Sequence, residues 1–220
     1  MNAYACFARA FAPRLDALLF ESDLGERYTY ADLDRETARV ATFLTRLGLQ
    51  PGDRVAAQVD KSPQALFLYL GCLRAGLVFL PLNTAYQQGE LGYFIGDAEP
   101  RVVVCRPAMH ETVKALLHPG MTLMTLDDQG RGTFTDGLSG AATSFATVDV
   151  ADDAVAVLIY TSGTTGRSKG AMVTHRNLTA NAQALTDTWH ITERDVLIHA
   201  LPVFHVHGLF ISTHCVLLSG

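Results

Sequence analysis

The sequence predicts an α/β fold with a mainly parallel sheet and flanking helices. Three observations carry this prediction. Arg101-Val-Val-Val-Cys105 is a β-branched run of the kind buried on both faces of a parallel sheet. Helical periods and short apolar runs alternate between Leu33 and Leu126. Ala154-Val-Ala-Val-Leu-Ile-Tyr160 is a further strand-like run, and it leads directly into a segment rich in Gly, Ser and Thr.

Taken in order, Leu33, Thr37, Val40, Leu44 and Leu47 recur at near-helical spacing, with Thr29 as the capping residue and Gly48 as the stop. Pro51-Gly52-Asp53 is a turn, after which Arg54 to Gln58 extends into a strand. Ser62-Pro63 supplies an N-cap and a proline at the first helical position. Gly76 ends that helix, and Val78-Phe-Leu-Pro-Leu82 is a short buried strand. The run Ala65 to Leu82 could be mistaken for a membrane span, but Arg74 would then sit near the bilayer centre at a cost of several kcal/mol. Helices near Glu90–Ile95 and Ala108–Leu117 alternate with strands at Arg101–Cys105 and Met121–Leu126. Residues 127–153 are dominated by Gly, Ser, Thr and Asp and read as a long connection rather than core. The expected organisation is therefore an N-terminal α/β subdomain at 1–153, including that connection. A second part at 154–220 holds a strand, a loop and a following helix, strand and helix. Thr174 caps the helix after the loop. Leu178, Ala182, Leu185 and Trp189 form its apolar face, so Trp189 is expected in the core.

Composition narrows the function classes. Of 220 residues, 49% are hydrophobic and 18% charged, which excludes intrinsic disorder. The formal net charge of −5 comes without a block of like charges, which argues against a nucleic-acid groove or a polybasic membrane patch. Cys6, Cys72, Cys105 and Cys215 are scattered, unlike zinc ligands or a disulfide framework, and suit a reducing, cytoplasmic compartment. Arg9, Arg14 and Asp16 interrupt the apolar core that a secretory signal needs, which leaves an organellar presequence as the weaker alternative.

Two clusters carry chemistry. Residues 161–170 hold three threonines, two serines, three glycines, Arg167 and Lys169. Such a segment exposes backbone N–H groups and hydroxyls with little steric cover, and lysine adds a point charge. Those are the parts that cradle phosphate oxygens. The G-x-x-x-x-G-K-[ST] spacing is absent, and composition leaves a plain polar loop as the alternative. The second cluster is His199, His205, His207 and His214. His205 and His207 would share one face of an extended segment, but no carboxylate or cysteine of ligand spacing accompanies them. No metal site is expected. His199 and His214 read as histidines satisfied in the core or at its edge.

Tyr160-Thr-Ser-Gly-Thr-Thr-Gly-Arg-Ser-Lys-Gly-Ala-Met-Val-Thr-His-Arg-Asn-Leu178 closely resembles the phosphate-binding signature of the adenylate-forming superfamily: acyl-CoA synthetases, peptide-synthetase adenylation domains and luciferases. Ser168 stands where that family usually has proline. Tyr28-Thr-Tyr-Ala-Asp-Leu33, Leu49-Gln-Pro-Gly-Asp-Arg-Val55 and Leu73-Arg-Ala-Gly-Leu-Val-Phe-Leu-Pro-Leu-Asn83 are similar to its early landmarks, in order. Leu82–Tyr86, Asp97–Cys105 and Asp195–Pro202 further resemble malonyl-CoA synthetases. The resemblance implies an ATP-dependent acid–CoA ligase. In such an enzyme a carboxylate attacks the α-phosphate of ATP, and CoA then displaces AMP. It implies phosphate contacts from Thr161, Ser162, Gly163, Thr164, Thr165, Gly166 and Lys169. It places His205 at the acyl group as the catalytic-side residue, with His207 toward the acyl pocket. A polar His207 suits malonate or a similar small dicarboxylate, with a medium-chain or aromatic acid as the alternative substrate.

The resemblance also implies ATP, Mg2+ and CoA, with the adenine, magnesium-linked, ribose and C-terminal lysine motifs lying beyond residue 220. The chain is accordingly expected to be the front portion of an enzyme, inactive alone. The alternatives are a non-catalytic nucleotide- or phosphate-binding fragment and a fragment that forms a homodimer.

Overall fold

The computed structural model describes residues 1–161 and 167–220. The chain opens with α1 (Ala3–Phe11), a hairpin of β1 (Leu18–Glu21) and β2 (Arg27–Thr29), and α2 (Tyr30–Arg46). Then follow β3 (Arg54–Gln58), α3 (Pro63–Arg74), β4 (Val78–Pro81), α4 (Gln88–Ala98), β5 (Val102–Cys105), α5 (His110–Lys114) and β6 (Thr122–Thr125). Residues 127–153 contribute α6 (Thr133–Gly137), and after them come β7 (Val155–Thr161), β8 (Lys169–Thr174), α7 (His175–Trp189), a π-helical turn at His207–Ser212 and α8 (Thr213–Ser219).

The local signals act where the sequence puts them. The Thr29 hydroxyl accepts from the Asp32 amide at 3.1 Å while Asp32 accepts from the Thr29 amide at 2.8 Å, a reciprocal cap on α2. Ser62 accepts from the Ala65 amide at 3.2 Å and Pro63 begins α3. Gly76 ends α3 with φ +69°, a conformation that a Cβ would strain. Among the described residues no helix is long and apolar enough to cross a membrane. At 12 residues, α3 spans only about 18 Å.

Six strands form the main sheet in the order β6-β5-β3-β4-β7-β8. All neighbours are parallel except β7 and β8, which form an antiparallel hairpin paired from Val155↔Thr174 to Thr161↔Lys169. The mainly parallel α/β architecture expected from the sequence is the one observed. Val102, Val104, Val55 and Ala57 face one layer, built on α1, α2 and α3. Val103, Cys105, Ala56 and Leu80 face the other, built on α4 and α5. Strands with apolar side chains on both faces thus account for the unbroken runs.

Four expectations need correction. Lys169 and Gly170 are not loop residues, because they pair with Thr161 and Tyr160 and open β8. Residues 127–153 are not merely a connection: Phe134 and Leu138 are buried in the main core, where Phe134 meets Phe43 edge-on at 6.2 Å. Phe134 and Leu138 stand four residues apart, on one face of a single helical turn, but one apolar pair among polar neighbours is too short a pattern to show a period. Trp189 is 56% exposed, because the buried residues of α7, His175, Leu178 and Ala182, all lie in its first half and, among the described residues, nothing covers its end. No strand follows α7 among the described residues. Val196 and Ile198 are 93% and 88% exposed, and the backbone closes on itself in turns such as Ala200 N–H to Ile198 C=O at 2.9 Å. A strand needs a ladder partner, and none of the described strands runs beside this segment.

Candidate active site

In open parallel sheets, ligands collect outside the carboxyl ends of the strands. Both chemical clusters lie on that edge. β7 is parallel to β4 through Phe79↔Val157 and delivers Thr161 to its carboxyl end, and Lys169 faces Thr161 across the hairpin. Both side chains are exposed, as donors for a phosphate must be. Ser162, Gly163, Thr164, Thr165 and Gly166 lie outside the described residues.

The neck of this loop is tied to α4. The Tyr160 hydroxyl donates to the Asp97 carboxylate, and the Tyr93 hydroxyl donates to the Ser168 carbonyl at 2.8 Å. Burial, reinforced by the Asp97 hydrogen bond, raises the Tyr160 hydroxyl well above the ordinary phenol value, so it stays a proton donor. The Arg167 guanidinium lies 5.9 Å from the centre of the Tyr93 ring, within cation–π range.

The histidine segment lies over the carboxyl ends of β3 and β4. Lys61 Nζ, just past β3, donates to the His199 carbonyl at 2.7 Å. A cavity of about 10 Å³, room for one water at most, is lined by Ala57, Val59, Ala65, Phe79, Pro81, Val203 and Phe204. His205 and His207 follow directly, both exposed, with ring centroids 5.3 Å apart and planes 22° from parallel. They are brought together by a turn and the start of the π-helical segment, not by an extended strand. The His207 amide donates to His205 Nδ1 at 3.4 Å.

The outer two histidines are structural. His214 is buried, shares a hydrogen bond of 2.8 Å with the Tyr69 hydroxyl, and packs against Phe7 and Phe210. His199 Nε2 donates to the Gly208 carbonyl at 2.9 Å. A fifth, His175, is also buried and accepts the Ala3 amide at 3.1 Å, tying α7 to α1. Among the described residues no three His, Cys, Asp or Glu side chains converge as metal ligands.

Comparison with known proteins identifies the family. Residues 7–220 match the family described as AMP-binding enzyme. The chain belongs to that family. The AMP-binding match includes both the β7–β8 hairpin and the histidine segment. Over its whole length the chain superposes on ATP-bound MatB from Rhodopseudomonas palustris, with a TM-score of 0.92 and 51% identity, covering 44% of that protein. It is 36% identical to a feruloyl-CoA synthase from Amycolatopsis over 197 residues, covering 89% of this chain and 38% of the relative. It is 32% identical to 4-coumarate–CoA ligase 3 from Oryza sativa over 222 residues, covering 98% of this chain and 39% of the relative. The chain thus spans about two fifths of the length of these AMP-binding relatives. The adenylate-forming superfamily suggested by the loop motif is the one these matches identify.

Sequence reasoning singled out Thr161, Lys169, His205 and His207, and the fold gathers them on one sheet edge. It missed Tyr93 and Asp97. Their only local signal is a spacing of four residues, which puts them on one helix face without saying what they meet.

Proposed function

We propose that the chain supplies the pyrophosphate-holding loop and one wall of the acyl site of an ATP-dependent acid–CoA ligase, with malonate or a similar small dicarboxylate as the acid. The observation that carries this reading is the β7–loop–β8 hairpin at the carboxyl edge of the sheet, with Thr161 and Lys169 exposed at its neck. As the acid's carboxylate attacks the α-phosphate of ATP, negative charge builds on the departing pyrophosphate. Donors already in place stabilise that charge without reorganising, which is where such a site gains most of its rate. Lys169 supplies a full charge. Thr161, Ser162, Gly163, Thr164, Thr165 and Gly166 supply hydroxyls and N–H groups. His205 contacts the acyl group and His207 lies behind it, where two adjacent imidazoles suit a second carboxylate better than an alkyl tail. The likeness to MatB supports the small-acid reading. Four free cysteines fit a reducing, cytoplasmic setting for it.

An aromatic acid is the second reading, favoured by the ferulate and coumarate relatives. Titrating the chain with malonate and with ferulate, while following the ring C–H resonances of His205 and His207, separates the two. Malonate is expected to move both resonances, and a response to ferulate alone overturns the dicarboxylate reading. The chain alone is expected to bind ATP without catalysing ATP–pyrophosphate exchange. Exchange with added malonate would show that residues 1–220 hold a complete adenylation site.

A further inference from the structure

We propose that Tyr93 and Asp97 are positioning residues that hold both ends of the phosphate loop from a single face of α4. The proposal rests on the reading of the β7–β8 hairpin as phosphate-holding. Tyr93 and Asp97 are four residues apart on α4, so their side chains stand one above the other. One receives the incoming strand, through the Tyr160 hydroxyl on the Asp97 carboxylate. The other holds the outgoing strand, through the Tyr93 hydroxyl on the Ser168 carbonyl at 2.8 Å. These bonds close 63 and 75 residues of sequence separation, so they fix tertiary rather than local geometry.

The helix that provides them is itself rigidly held. The Gln87 amide donates to the Glu90 carboxylate at 2.8 Å at its start, and Leu91, Phe94 and Ile95 are buried against the sheet. Phe94 also packs on the Tyr160 ring at 4.4 Å between centroids. The contact at the outgoing end is to a backbone carbonyl, so it sets position without depending on the side chain at residue 168. Between the two ties, the ladder ends with Tyr160↔Gly170 and Thr161↔Lys169. Fixing that neck sets where Thr161 and Lys169 stand before nucleotide arrives, and preorganised donors are the effective ones.

The test combines backbone amide exchange with titration by Mg-ATP, on the unaltered chain and on Tyr93→Phe, Asp97→Ala and Asp97→Asn. Tyr93→Phe removes one oxygen and no carbon, and Asp97→Asn keeps an oxygen that can accept from Tyr160. Losing one such bond should raise exchange across residues 159–171 about fivefold, and weaken ATP binding by about the same factor, in Tyr93→Phe and Asp97→Ala. Asp97→Asn should stay close to the unaltered chain in both readings, and the thermal midpoint of Tyr93→Phe should hardly move. Unchanged exchange in both Tyr93→Phe and Asp97→Ala overturns the clamp. Faster exchange with unchanged ATP affinity overturns its role in positioning the donors. Failure of the unaltered chain to bind ATP overturns the phosphate-loop reading itself, and this result stands apart because the exchange comparison needs no nucleotide.

Discussion

At the scale of the residue, the two buried histidines make a pH-dependent contribution whose sign follows from their surroundings. Burial lowers His214 to about 3 and His175 to about 4, the latter helped by the nearby positive N-terminus. In the unfolded chain both return to about 6.5. Below that value the unfolded state takes up protons that the folded state refuses. Stability is therefore fully present above pH 6.5 and falls as pH drops toward 4 and 3. Each histidine contributes a slope of about 1.4 kcal/mol per pH unit in its window. Replacing His214 by Phe, which keeps the ring packing against Phe7 and Phe210, should make the slope between pH 6 and 4.5 shallower by that amount. Urea denaturation at stepped pH measures it, and an unchanged slope would mean that His214 is already protonated in the folded chain. His205 and His207 differ in being exposed at the candidate site.

At the scale of the element, the crossing of α2 and α3 shows how one missing side chain sets an interhelical distance. Gly71 of α3 packs directly on Val40 of α2, and a Cβ added there would lie 2.6 Å from the Val40 Cβ. Both backbones would have to move apart, and overpacking of this kind costs about 1–3 kcal/mol. Gly71→Ala should lower stability by roughly that amount in chemical denaturation. Combining it with Val40→Ala should recover part of the loss, because the two side chains compete for one space. A simple sum of the two single losses would show that steric conflict is not the cause. Gly71 is legible as a small residue in an apolar helix, but its reason is not, because Val40 lies 31 positions earlier.

At the scale of the whole molecule, Arg74 joins elements that sequence keeps far apart. Its buried guanidinium donates to the Asp34 carboxylate at 2.9 Å, the Thr37 hydroxyl at 3.1 Å and the Tyr4 hydroxyl at 3.2 Å. It also reaches the Phe145 carbonyl at 2.7 Å and lies over the Tyr4 ring. α1, α2, α3 and the segment after α6 thus meet on one side chain. Arg74→Met keeps the stem but strands these partners, and should lower stability by about 3 kcal/mol. Arg74→Lys should recover less than half of that, because one ammonium cannot span Asp34 and the Phe145 carbonyl as the planar fork does. Near-complete recovery with lysine would mean that charge alone, not geometry, is what this position requires.

The sequence by itself determined the parallel strands, the capped helices and the family. Each of these rests on neighbours a few residues apart: Thr29 with Asp32, Ser62 with Pro63 and Ala65, and a continuous loop motif from Tyr160 to Leu178. Only the tertiary structure decided which apolar residues are covered. Trp189 and Val196 are exposed while Phe134 is buried, because burial depends on which other elements arrive there. It also decided what Arg74, Tyr93 and Asp97 do. Hydrogen bonds spanning 40 to 75 positions leave no periodic trace, since their partners become neighbours only once the sheet and its two helical layers have closed.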